Sequence, residues 1–428
     1  MSLIRIDKLF NFEKGVLQSS KCTPGKYDFI TASSEWKTHN EYTHDCEALI
    51  FAAAASGSLG RTHYVNGKFI SSDLCFIITQ KDPINLPIDL KFYHLIFNEL
   101  KDEIVRNTKA GTSKEAIGLA AFGKYELPYF DINKQIEAKE QFVNAFDHKK
   151  DLNTELSHQL SLIKQLRQSF LREAMQGKLL PQIASEGNGR DLLEKIKAEK
   201  QKLIAEKKLK KEKDLLAINP DEIPFEIPEN WVWCRLGNIA ILITDGKHGD
   251  CNDEINSGYY FLSAKDIQNG KLIYNCARQI TYSDFIETHR RTNLEPGDLC
   301  VVNTGATIGK TSFAPDDELT RKTTFQKSVA VIKVINHLIS MKYIEYFIIN
   351  ETPKLLKTSR GSAINNLLLG DLRSTILPLP PLSEQQRIVA KLEELMAYSD
   401  KLEKSINGSK EQNEMLLQQV LREALREK

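Results

Sequence analysis

Two hydrophobic patterns take turns along this chain. Short apolar or alternating runs at 27–31, 73–79, 259–262 and 329–334 are separated by Gly, Asn and Asp, and read as strands. Three-and-four spacing of apolar residues predicts helices near 92–100 and 342–349. Each set of short elements is followed by one long helical stretch. In the second, Ser383 is a good N-cap, Pro380 and Pro381 lie just outside, and Glu384 falls in the first turn. One heptad column runs Leu392, Ser399, Ile406, Asn413, Val420; the other runs Ile388, Leu395, Leu402, Ser409, Leu416. The first stretch covers about 132–175, with Ile132, Ile136, Val143, Phe146, Leu156, Leu160, Ile163, Leu166 and Phe170 as its apolar set. Both seams slacken near their middles, at 147–153 and at Asn407-Gly408-Ser409, and Asn413 is expected to fix register. A helix of this length spans roughly 65 Å, more than a globule of this size, so the pair is expected to form an antiparallel coiled coil that acts as a spacer.

The two halves repeat. Leu127-Pro128 and Ile136-Glu-Ala-Lys139 match Leu379-Pro380 and Ile388-Val-Ala-Lys391, 252 residues on. Leu171-Arg-Glu-Ala174 matches Leu421-Arg-Glu-Ala424 at 250, and Ser58-Leu-Gly-Arg-Thr62 matches Thr307-Ile-Gly-Lys-Thr311 at 249. Gly111-Thr-Ser stands opposite Gly361-Ser-Ala. Ordered matches at nearly one offset describe a duplicated unit. The duplication also disposes of a phosphate-loop reading of Gly305-Ala-Thr-Ile-Gly309-Lys310-Thr311. That motif has one residue too few between its glycines, leads into a strand, and has a twin with Arg61 in place of lysine. Both copies read as a turn between strands with the basic residue displayed at its tip.

The fold class expected is α+β: two pseudo-symmetric mixed α/β domains separated by an antiparallel two-helix coiled coil. The boundaries are a first domain over 1–131, a long helix over 132–176, a Lys-rich helical linker over 177–220, a second domain over 221–382 and a second long helix over 383–428. The linker reads as a solvated connecting helix or, alternatively, as a contact for phosphate or an acidic partner.

Composition narrows the chemistry. The net charge is +1, so nucleic-acid binding must come from local patches. Seven cysteines without a C-x-x-C pair fit buried thiols in a reducing compartment better than disulfides or structural zinc. Without a signal-peptide pattern at the start or a long apolar span, the chain reads as soluble and cytoplasmic. No [ND]-P-P-[YFW] motif for a flipped adenine is present; Asn219-Pro-Asp and Asp82-Pro-Ile lack the second proline and the aromatic. No cofactor is expected.

The segments "ILPLPPLSEQQRIVAKLEELM" and "IPENWVWCRLGNIAILITDGKHG" resemble the DNA-specificity subunits of type I restriction–modification systems. The likeness runs over essentially the whole chain, although the first copy has no counterpart of Trp231 and Trp233. It implies a non-enzymatic reader of double-stranded DNA, with each domain taking half of a bipartite, asymmetric target in the major groove. It also implies a helix platform for two methylation subunits, which methylate adenine at N6, and restriction subunits joining through them. The alternative is a coiled-coil scaffold, or a DNA-binding adaptor with no restriction role.

Specific contacts are expected from polar residues beside turns. In the second domain these are Lys247, His248, Ser263, Lys265, Thr304, Lys310, Lys357 and Arg360. In the first they are Ser33, Lys37, His39, Arg61, Lys109 and Lys114. Gln135, Lys139, Glu384, Arg387 and Lys391 are the candidate docking residues for the methylation subunits. Trp231 and Trp233 read as core.

Overall fold

The computed structural model describes residues 2–54, 57–110, 116–305, 307–358 and 367–424. Lys114, Arg360 and the Gly111 and Gly361 motifs lie outside the described residues, as do the side chains of Lys357, Val420 and 421–424. The chain divides into two compact units, Met1–Gln159 with Ser405–Lys428, and Leu160–Lys404.

The first unit is built on a six-stranded sheet in the order Phe10–Lys14, Cys75–Gln80, His44–Ala52, Thr62–Ser71, Tyr27–Ile30, Lys37–His39. Its central strand carries the unbroken apolar run Ala48 to Ala52 because both faces are covered. Leu49 and Phe51 pack with Phe76, Ile78 and the helix Leu90–Glu99. Ala48, Ile50 and Ala52 pack on the other side with Ile30, Val65 and Phe69. The second unit repeats this plan on four strands, Ala240–Asp245, Val329–Val334, Leu299–Val302 and Thr311–Phe313. There Ala330 and Ile332 face one core and Val329 and Val331 the other. The period-two geometry of a strand separates the two sets. The architecture is thus α+β in each unit.

Each unit closes with an antiparallel pair that leads into a long helix: Ser2–Arg5 with Glu126–Tyr129, and Val232–Arg235 with Ile376–Leu379. The first long helix is Ile132–Met175 and the second Leu382–Ala424. Both run unbroken through the stretches expected to weaken them. The true register of the repeat is 250, not 252. Tyr93 donates its hydroxyl proton to the Pro128 carbonyl at 3.0 Å, and Tyr343 does the same to Pro378 at 2.7 Å. Leu-Pro at 379–380 therefore mimics the matched dipeptide one strand pleat too late.

The Lys-rich linker is solvated over most of 206–214, but its helical part is not a free connector. Its helix Gly189–Ala205 buries Leu192, Leu193 and Ile196 in the core of the second unit. Lys200 donates to the carbonyls of Gly237, Asn238 and Ala240 at 2.8–3.2 Å. These carbonyls end the short helix Leu236–Ile239 and carry partial negative charge, which a lysine neutralises. The apolar face of this helix, Leu192, Leu193 and Ile196, is what takes it out of solvent.

Within each unit the two long helices meet antiparallel. In the first unit Lys410 Nζ reaches Ser157 at 3.2 Å, and Asn413 Nδ2 donates to Asn153 Oδ1 and to the Lys149 carbonyl, both at 3.1 Å. In the second, Arg167 bridges Asp400 and Glu403 at 2.5 and 2.6 Å, while Leu171 and Met175 share a core with Ile388 and Leu392. The first heptad column forms the seam over its described residues, and the second joins it only at its start, where Ile388 is buried and Leu395 half-buried. Leu392, Ser399 and Asn413 are buried and Ile406 is half-buried, whereas Leu402, Ser409 and Leu416 of the other column face solvent. On the first helix Leu156 and Ile163 are buried, but Ile136, Val143, Phe146 and Leu166 are exposed.

Candidate nucleic-acid interface

The repeat is written in backbone hydrogen bonds. In the first unit Ala52 N–H donates to the Arg61 carbonyl, Gly60 N–H to that of Ala52, and Arg61 N–H to that of Ser58, at 2.8, 2.8 and 3.0 Å. In the second, Val302 N–H donates to the Lys310 carbonyl, Gly309 N–H to that of Val302, and Lys310 N–H to that of Thr307, at 2.8, 2.9 and 3.2 Å. The glycine-rich motif is therefore a hairpin connection in both copies. Gly60 and Gly309 have φ of +83° and +87°, values that L side chains rarely adopt.

In the second unit, loops distant in sequence gather around the turn 326–328. Gly246 N–H donates to the Val329 carbonyl and Lys247 N–H to that of Phe325. Lys327 N–H returns a bond to the Lys247 carbonyl. Gln326 N–H bonds the Leu262 carbonyl, Ser328 Oγ accepts from Ala264 N–H, and Asn303 N–H bonds the Ser328 carbonyl. The segments around 247–248, 263–265 and 303–310 thus form one surface. The approach is close: a Cβ on Gly246 would sit 2.0 Å from the Phe325 oxygen, and one on Gly15 would sit 2.2 Å from the Ser72 oxygen. In the first unit the analogous surface joins the loop 31–36, the hairpin connection and the turn 72–74. Ala53 and Ala54 N–H donate to the Leu74 carbonyl, and His63 Nε2–H donates to that of Ser33 at 2.8 Å.

The candidate residues sort differently once seen in place. Lys265 and Lys310 are exposed on the gathered surface, and Thr304 is half-buried beside them. Lys37 and Lys109 are exposed in the first unit. Lys247 is not a free cation: it lies 3.4 Å from Asp284 and 3.5 Å from Glu287. Burial works against its charge, but the Cys251 thiol, Glu287 and Asp284 outweigh it and raise its pKa. His248 is exposed, with Nε2 2.9 Å from Asp245 Oδ2. Ser263 caps a 3-10 turn, its N–H and Oγ–H both directed to Asp266 Oδ2. Ser33 is exposed, but its hydroxyl is spent inside its own loop on Thr31 and the Glu35 carbonyl. Arg61 is half-buried rather than displayed, donating to the Ala32 carbonyl at 3.2 Å. His39 is 6% exposed; its Nδ1 accepts from Thr23 N–H and its ring packs on Phe29, so it holds a loop in place instead of reaching outward.

The docking candidates are corrected in the same way. Gln135 is fully buried. Its Oε1 accepts from Asp89 N–H at 2.8 Å, and its Nε2 donates to the carbonyls of Phe130 and Pro87 at 2.7 and 3.1 Å. Its repeat mate Gln385 accepts from Ser340 N–H and donates to the Pro380 carbonyl, both at 3.0 Å. Glu384, 1% exposed, accepts from Trp231 Nε1 at 2.9 Å, which places Trp231 in the core as read. Arg387 pairs with Glu186, Lys139 with Asp89 and Lys391 with Glu394. Gln135, Lys139, Glu384 and Arg387 fasten each helix to its own unit, whereas the Lys391 pair lies within the second long helix and leaves that residue on its surface.

Sequence reasoning missed Gln326, Lys327, Asp245 and Arg291. The polar stretch Gln326-Lys327-Ser328 just ahead of the apolar run from Val329 was a legible turn signal; nothing local marks Arg291. Among the described residues no group of three or more His, Cys, Asp or Glu could hold a metal ion, and no helix is long and apolar enough to cross a membrane.

Comparison with known proteins agrees with this geometry. A family model described as the type I restriction modification DNA specificity domain matches residues 2–162 and 228–409. The specificity subunit of the type I restriction enzyme EcoAI of Escherichia coli is 31% identical over 255 residues, which are 58% of this chain and 42% of that protein. The EcoEI specificity subunit of Escherichia coli is 28% identical over 272 residues, 61% of this chain and 45% of its own. The chain thus spans less than half the length of each of these relatives. The crystal structure of the HsdS subunit from Thermoanaerobacter tengcongensis covers 99% of this chain and 96% of its own, with a TM-score of 0.59 at 14% identity, a likeness of fold.

Proposed function

The chain belongs to the type I restriction modification DNA specificity family, and from that premise we propose that it is the non-catalytic DNA-reading subunit of a type I restriction–modification complex. Each recognition domain, 1–131 and 221–382, reads one half of a bipartite target. The long helices space the halves and dock two methylation subunits that modify adenine at N6. Restriction subunits join through those. Lys265, Lys310, Lys327, Lys37 and Lys109 supply phosphate contacts local to each surface, in keeping with a net charge of only +1.

The observation that carries this reading is one backbone frame bearing two different surfaces. The hairpin connections share their hydrogen bonds, yet one presents a tethered Arg61 and the other an exposed Lys310. The turn that holds Asp73 in the first unit holds Lys327 in the second. Equal frames with unequal side chains suit a target whose halves differ in sequence.

A second regularity supports a pair of like partners. Leu152 and Leu402 are 44% and 37% exposed and stand 250 residues apart; Leu166 and Leu416, at the same spacing, are 39% and 46% exposed. Each unit therefore displays one repeat-matched exposed leucine from each long helix, Leu152 with Leu416 and Leu402 with Leu166. These apolar positions join Lys391 as the docking candidates.

Sequencing of adenine methylation in a host with and without this chain tests the proposal. A two-part methylated motif that vanishes on deletion is expected. A host whose methylated motifs are unchanged by deletion would refute it and favour a scaffold that ignores DNA.

A further inference from the structure

We infer that Arg291 of the second unit determines specificity by reading a guanine edge, and that Asp245 positions it; this rests on the DNA-reading function proposed above. Asp245 ends the strand Ala240–Asp245, and its side chain is only 9% exposed. Its Oδ1 accepts from Arg291 Nη2 at 2.5 Å, and its main-chain oxygen accepts from Arg291 Nε at 2.8 Å. His248 Nε2 lies 2.9 Å from the other carboxylate oxygen. Asp245 directly precedes Gly246 and Lys247, whose backbone bonds build the gathered surface, so the cluster stands on that surface.

A guanidinium has five N–H donors in one plane. The two bonds to Asp245 use one edge of that plane and fix its orientation. The side chain remains 45% exposed, leaving the Nη1 donors and the second Nη2 donor for an outside acceptor. Two adjacent donors in a rigid plane match O6 and N7 of guanine, the pair of acceptors that distinguishes this base in the major groove.

Charge separates this role from phosphate binding. Asp245 balances Arg291, and Asp284 with Glu287 balances Lys247. The cluster therefore has no net positive field with which to draw a phosphate. Its hydrogen-bond geometry is undiminished, which suits a neutral base edge. Phosphate attraction falls instead to exposed lysines such as Lys265, Lys310 and Lys327.

The test is methylome sequencing of a host carrying the full chain with its methylation subunits, as wild type, Arg291→Ala, Arg291→Lys and Asp245→Asn. Wild type is expected to give a two-part motif with a guanine at one defined position of one half. In Arg291→Ala preference at that position falls from about ten-fold or more to near unity, Arg291→Lys keeps part of it, and the other half is unchanged in both. Asp245→Asn degrades the same position, and binding of the complex becomes more salt-sensitive because Arg291 loses its counter-charge. An unchanged motif in the Arg291 variants overturns the inference and leaves the parent proposal standing. So does a uniform loss over all sequences, the mark of a phosphate contact, or complete loss in the charge-conserving Arg291→Lys. Absence of any two-part motif with the wild-type chain defeats the parent proposal and this inference together.

Discussion

Single residues here act mainly by closing hydrogen-bond accounts between segments far apart in sequence. Gln135 and Gln385 each satisfy a backbone donor and at least one backbone acceptor where a helix joins its unit. Replacing either by alanine strands those buried groups and is expected to cost about 1–3 kcal/mol, read as a lower denaturation midpoint. Gly246→Ala pushes a methyl into the Phe325 oxygen and should destabilise by about 2 kcal/mol or more in the same measurement. Gly408→Ala, in a helix interior with nothing within 4 Å of its Cβ, should stabilise by about 0.5–1 kcal/mol. His94 is half-buried, and desolvation holds its pKa below the ordinary 6.5, even though a bond to the Thr62 carbonyl opposes this. The folded chain then binds fewer protons than the unfolded one. Stability is complete above about pH 6.5 and falls as pH drops below it. His63, also lowered by burial, adds to the same slope; melting temperatures across that range should show it, and His94→Gln should reduce it without abolishing it.

At the scale of elements, the long helices combine a sparse seam with strong end fixings. Ser399 and Asn413 occupy buried seam positions where leucine would bury more apolar surface. Asn413 bonds across to Asn153 and the Lys149 carbonyl, and its own Oδ1 is buried without a hydrogen-bond partner among the described residues. Asn413→Leu is expected to raise the melting temperature while loosening the register of the pair. Electron–electron distance distributions between spin labels on the two helices, broadened in the variant, would check it. At the other end, the Trp231 indole and the Asn230 amide both donate to Glu384. Glu384→Ala leaves those donors unpaired and should release the start of the second long helix, seen as faster amide exchange over its first turns.

For the molecule as a whole, duplication supplies two frames and divergence supplies two surfaces. If the paired leucine patches receive like partners, Leu152→Arg and Leu402→Arg should each remove one methylation subunit and leave the other. Native mass spectrometry of the assembled complex reads this directly, and equal loss of both subunits in either single variant would contradict it. Charge reversal at Lys310 should weaken DNA binding more than reversal at Arg61, because Arg61 already spends its guanidinium on the Ala32 carbonyl. Binding curves for the assembled complex at two salt concentrations would separate them.

Amino-acid order alone determined a great deal. Period-two and heptad patterning marked the strands and the two long helices, because burial of a face imposes its own spacing. Order-preserving matches exposed the duplication, since a repeated fold needs its turns and core positions at repeated intervals. Folding in three dimensions decided which polar residues are available. Gln135, Glu384 and His39 look like surface residues in a linear reading, yet each meets a buried backbone group or core side chain contributed by a distant segment. Asp245 and Arg291, 46 residues apart, meet only because the helix Tyr282–Thr292 packs beside a strand end. Local composition reports what a segment would bury, but partners at long sequence separation are set by the packing of whole elements, and the chemistry of the gathered surface depends on those partners.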